Sequence, residues 1–126
     1  MKLEDINRKH ILIMLEYCKE KWGKSKFNGD FPKILILNKK DEFYGEYEPN
    51  INQIVIWLKK HKTIINICAT VIHEYTHYLQ CIDKYHNYNP LHPHDGNYEK
   101  HPYELTARRR EMKYKKECKQ YLLSKI

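Results

Sequence analysis

The sequence predicts a small α+β fold, and three observations lead to it. Helix-periodic segments stand near both ends, short runs of β-forming residues lie between them, and one nearly all-apolar helical run carries His73-Glu74-Tyr75-Thr76-His77. The chain has 126 residues, 41% of them hydrophobic, which is close to the commonest domain size. One core can be built from it but not two, so a single domain spanning 1–126 is expected.

Near the N-terminus, Asp5 is placed to cap a helix whose apolar residues Ile6, Ile13, Met14 and Tyr17 recur at helical spacing, ending near Gly23. Phe27-Asn28-Gly29-Asp30-Phe31-Pro32 breaks regular structure. Residues 34–37, 43–47 and 53–57 then read as three strands, the last two joined through Pro49, Asn50 and Asn52. They predict a small, mainly antiparallel sheet. Its last strand, Gln53 to Trp57, is expected at the edge, where a protein or peptide substrate could add as a further strand.

Thr63 caps the next predicted helix, which is apolar at Ile64, Ile65, Ile67, Cys68, Val71, Ile72, Tyr75, Tyr78, Leu79 and Ile82. Its one polar stripe holds Asn66, Thr70, His73, His77 and Gln80. A helix apolar almost all round is buried, so the stripe should face a cleft. His73 and His77, four residues apart, project from one face and supply two ligands to a metal ion, with Glu74 at their flank. A catalytic zinc takes three protein ligands and leaves a position for water, whose pKa it lowers to about 7. Glu74 is then the general base that takes the water's proton and returns it to the leaving amine. The expectation is a zinc-dependent peptidase with Zn2+ as its cofactor.

Several residues compete for the third ligand. A turn-and-return arrangement would use Asp83, but it needs a glycine where Gln80 stands, and Gln80 is expected to continue the helix. Pro102 suits the first turn of a C-terminal helix, which places Glu104 within that turn and within reach of the histidine face. Glu104 is the expected ligand, with Arg108 four residues on as its supporting partner. Residues 83–101 read as a long loop that also holds His86, His92 and His94 as alternatives, and Cys81 lies four residues beyond His77.

The segments HEYTHYLQ and HPYELTAR, together with Tyr44-Gly45-Glu46-Tyr47-Glu48-Pro49 running into Asn52-Gln53-Ile54-Val55-Ile56, resemble the small one-domain gluzincins, the minigluzincins and ImmA/IrrE-type peptidase domains. The first segment matches their H-E-x-x-H helix, the second their P-x-E-x-x-A segment and the third their G-x-Y-x-P hairpin and strand. The resemblance implies a zincin-like domain: an N-terminal helix, a three-stranded sheet lining the cleft, the buried motif helix, and a glutamate ligand from the C-terminal helix.

Cys18, Cys68, Cys81 and Cys118 form no C-x-x-C pair and read as reduced structural thiols. No apolar run is long enough to span a membrane, and MKLEDINRKH lacks the apolar core of a signal peptide. A cytoplasmic protein without a membrane partner is expected. The net charge of +7 and pI near 9.1 leave nucleic acid open as a partner, and with it a SprT-like protease acting on nucleic-acid-bound proteins. Arg108, Arg109, Arg110, Lys113, Lys115, Lys116 and Lys119 nevertheless read first as a solvated face. A zinc-binding recognition module without catalysis is the third alternative, which the presence of Glu74 argues against.

Overall fold

A computed structural model of the chain describes residues 1–81 and 101–126. Its elements are helix α1 (Arg8–Trp22), strands β1 (Lys33–Leu37), β2 (Gly45–Glu48) and β3 (Gln53–Trp57), and helices α2 (Ile64–Leu79) and α3 (Pro102–Ser124), with short 3-10 turns at Leu3–Asp5 and Leu58–Lys60. The α+β class holds.

Helix α1 starts later than expected. Asp5 closes the 3-10 turn, and Asn7 is the cap, its side chain accepting from Lys9 N at 2.9 Å. Its inner face buries Ile11, Met14, Leu15 and Cys18. Gly23 ends it at φ +75°, a left-handed backbone that favours glycine.

The sheet is mixed rather than mainly antiparallel: β3 lies in the centre, parallel to β1 and antiparallel to β2. This corrects the expected edge position of Gln53–Trp57. Both sides of β3 are already hydrogen-bonded, so it has no backbone groups left to offer a peptide. The sequence places the three strands in order but not their neighbours, and the pairing of β1 with β3 is a non-local contact.

Alternation along the strands turns one face toward the helices. Ile34, Ile54 and Tyr47 form one inward row, and Ile36, Ile56 and Gly45 the next. Gly45 is where the sheet comes closest to α2: a Cβ there would stand 2.6 Å from Thr70 Cγ2, 3.0 Å from Val55 O and 3.3 Å from Glu74 Cγ. The turn after β2 is held by Asn52, which adopts φ +48°, accepts from Tyr47 Oη at 2.8 Å and donates to Asp30 O at 2.7 Å.

Helix α2 runs through the core as its apolar circumference requires, burying Ile67, Cys68, Val71, Ile72, Tyr75 and Tyr78. Thr63 caps its start, accepting from Asn66 N at 3.1 Å. Its end differs from expectation, because Gln80 is extended (φ −91°, ψ 156°) and stops the helix instead of continuing it. The cause is tertiary. The Asn28 amide donates to the carbonyls of Tyr78 and Gln80 at 2.6 Å each, capping the helix from a loop fifty residues away.

Helix α3 packs chiefly on α2 and also on α1. Trp22, Tyr114, Tyr17 and Tyr121 interlock at the α1–α3 seam, and the Arg110 guanidinium lies 5.2 Å over the Trp22 ring. Among the described residues all four cysteines are free, with Cys18, Cys68 and Cys118 buried. No described helix is long and apolar enough to cross a membrane.

Candidate metal centre

The H-E-x-x-H stripe of α2 faces the first turn of α3. Pro102 occupies that first turn and His101 caps it, accepting from Tyr103 N at 3.0 Å, so Glu104 emerges next to the cap and points inward. His73 Nε2 lies 2.7 Å from Glu104 Oε1, and His77 Nε2 lies 3.0 Å from Glu104 Oε2. The imidazole rings stand 4.9 Å apart between centroids. Three ligand atoms, one from each residue, fall within 4.8 Å of one another, and the group could hold a metal ion.

The outer nitrogen of each ring is also engaged. His73 Nδ1 is 2.8 Å from Glu111 Oε1, and His77 Nδ1 is 2.7 Å from Gln80 Oε1. With the acceptors on that side, both rings present Nε2 to the shared centre, the orientation that metal-bound histidines require. Gln80 reaches further, its Nε2 donating to Tyr103 O at 3.1 Å, which ties the end of α2 to the turn that carries Glu104.

The donor set fits an ion. Glu104 Oε2 is buried 3.0 Å from His77 Nε2 and Oε1 lies 2.7 Å from His73 Nε2, so the carboxylate and both ring nitrogens face one common centre. Two imidazoles and one carboxylate, with their outer N–H groups anchored, match the ligand types of a three-ligand site.

The electrostatics follow from burial set against these contacts. Burial penalises the His73 cation, but hydrogen bonds to Glu104 and Glu111 outweigh it and lift the pKa to about 10. His77 is raised for the same reasons, burial being overcome first by its bond to Glu104. Burial pushes Glu104 up, yet the two histidines hold it well below the usual carboxylate range.

Glu74 is 8% exposed and sits beneath β2, its Cγ beside the bare Cα of Gly45. Burial raises its pKa, and the charges of His77 and His73 offset only part of that rise. It is a carboxyl poised nearer neutrality than a surface glutamate, beside two histidines that can share a metal.

Of the expected residues, His73, His77, Glu74 and Glu104 come together. Arg108 does not support Glu104, which is engaged by the histidines instead. Cys81 is half-buried and belongs to no metal-competent group among the described residues. Asp83, His86, His92 and His94 lie outside the described residues. Three residues were missed from the sequence. Glu111 lies seven positions after Glu104, almost two turns along the same helical face, a spacing that could have identified it. Gln80 is three positions after His77, and its role depends on the helix ending there. His61 is buried against the same helix, its Nδ1 3.0 Å from Trp57 O and its Nε2 2.8 Å from Thr70 Oγ1, one turn before Glu74.

No protein-family model matches this chain, and no curated protein and no solved structure matches it.

Proposed function

We propose that the protein is a zinc-dependent peptidase of the gluzincin type, built on a zincin-like domain, with His73, His77 and Glu104 as the zinc ligands and Glu74 as the general base. The observation that carries the reading is the convergence of the two Nε2 atoms on Glu104 while Glu111 and Gln80 hold both Nδ1 atoms outward. Zinc bound there would polarise a peptide carbonyl and bring the pKa of water to about 7.

The chain's own residues do the remaining work. Glu111 and Gln80 fix the imidazole planes and keep the required tautomers. Glu74 takes the proton of the attacking water and passes it to the departing amine, a task that suits a carboxyl raised by burial. A purely structural zinc site would have no use for such a group. Peptide substrate has a backbone platform in β2, whose outer edge pairs with no strand among the described residues and which lies against α2 at Glu74.

The test compares wild type with Glu74→Gln on unfolded protein and a peptide library, with zinc content measured in both. The expected result is cleavage by wild type, loss of about 100-fold or more in the variant, and equal zinc. Equal behaviour at full zinc occupancy would replace the peptidase with a zinc-binding recognition module.

A further inference from the structure

The outward face of α3 separates its charges by sign. Each of the helix's acidic side chains is already engaged: Glu104 with His73 and His77, Glu111 with His73, and Glu117 with Tyr17 and Lys21. Among the described residues the basic side chains of α3 form no ion pair. Arg109 and Lys116 are exposed, and neither forms an ion pair among the described residues. Lys113 is exposed as well and rests 5.3 Å from the Tyr114 ring centre.

Between these cations runs an apolar row. Leu105, Met112 and Leu123 are 38%, 66% and 43% exposed, and at about 100° per residue they fall within about 20° of one line along the helix. The row extends over roughly 27 Å at 1.5 Å per residue. Arg109 and Lys113 flank it on one side and Arg108, Lys115 and Lys119 on the other, while Lys116 lies about 20° from the line itself, between Met112 and Leu123. Lys115 Nζ donates to Met112 Sδ at 3.6 Å, which sets a cation directly beside the row. The opposite face of α3 packs on α2 and α1.

We propose that the outer face of α3 docks on an anionic lipid surface, lying in the headgroup plane with Leu105, Met112 and Leu123 inserted and the flanking cations on acidic headgroups. This is a peripheral contact and not a span, and it stands independently of the peptidase reading. The net charge of +7 supplies the complementary long-range attraction. Exposed Leu and Met set among Lys and Arg are the side-chain types with which a helix meets an anionic interface. A phosphate backbone would reward the cations but not the exposed Met112. The helix's Tyr114 and Tyr121 are turned into the α1 seam instead of outward for base stacking.

The experiment is co-sedimentation with phosphatidylcholine vesicles, either pure or containing about one third phosphatidylserine, at low and high salt. Wild type, Met112→Gln and Arg109→Gln/Lys116→Gln are compared, with a short duplex DNA as the competing polyanion. Wild type is expected to sediment only with the anionic vesicles and to be released by high salt. The double variant should bind about thirtyfold more weakly, and Met112→Gln about five- to tenfold more weakly. These side chains point outward, so thermal melting and zinc content should match wild type in both variants. The proposal is overturned by equal binding to neutral vesicles, by no vesicle binding, by wild-type binding of Met112→Gln, or by retention on DNA without retention on lipid.

Discussion

Replacing Gly45 by alanine tests whether the approach of β2 to α2 is as tight as its geometry indicates. The added methyl would lie 2.6 Å from Thr70 Cγ2, 3.0 Å from Val55 O and 3.3 Å from Glu74 Cγ. Neither of the first two contacts can yield easily. Thr70 is held by its Oγ1, which bonds Asn66 O at 3.1 Å and lies 2.8 Å from His61 Nε2, and Val55 belongs to the central strand. The strand or the helix must therefore move, an overpacking cost of about 1–3 kcal/mol. For a chain of this size that corresponds to a fall of roughly 4–11 °C in melting temperature. Backbone conformation adds nothing, because Gly45 is not among the positive-φ residues. Gly29→Ala is the converse control: φ is +73° and nothing lies within 4 Å of its Cβ, so it should cost about 1 kcal/mol through conformation alone. Thr70→Ser removes Cγ2 and keeps the hydroxyl. The double variant Gly45→Ala/Thr70→Ser should then recover a large part of the loss in thermal or denaturant melts, a positive coupling in the mutant cycle. An unchanged melting temperature for Gly45→Ala, or additivity with Thr70→Ser, would refute the reasoning.

Further outcomes follow from the metal centre. Glu104→Ala removes one of the three proposed ligands and should lower zinc stoichiometry or affinity, as read by competition with a chromogenic chelator; unchanged binding would move the third ligand elsewhere. Glu111→Gln and Gln80→Ala should each weaken zinc about 10–100-fold by the same assay while leaving stoichiometry at one. In chelator-treated protein, His73 has a folded pKa of about 10 against an ordinary 6.5. Its contribution to stability is thus complete below about 6.5 and is lost as pH rises through about 10. Chelated wild type should therefore lose melting temperature from neutral to alkaline pH more steeply than chelated Glu104→Gln, and parallel profiles would contradict the assigned ion pairs.

The ends of α2 show how far local chemistry reaches. Its start at Thr63 is written in the sequence, because a cap is satisfied within three residues. Its end at Leu79 is not, because the group that stops it is the side chain of Asn28, fifty residues earlier. At the start of α1 the Asp5 side chain is engaged within the preceding 3-10 turn, accepting from Lys2 N, and Asn7 two residues on is the cap.

The site divides along the same line. His73, Glu74 and His77 could be read from spacing on one apolar helix, and Glu104 from its place just inside a proline-marked helix start, since each depends on periodicity within its own element. The central position of β3, the bare contact at Gly45 and the partnership of Glu111 and Gln80 with the imidazoles were settled only by tertiary structure. They join residues distant in the chain, and a side chain's nearest neighbours in space are fixed by the packing of whole helices against the sheet rather than by local propensity.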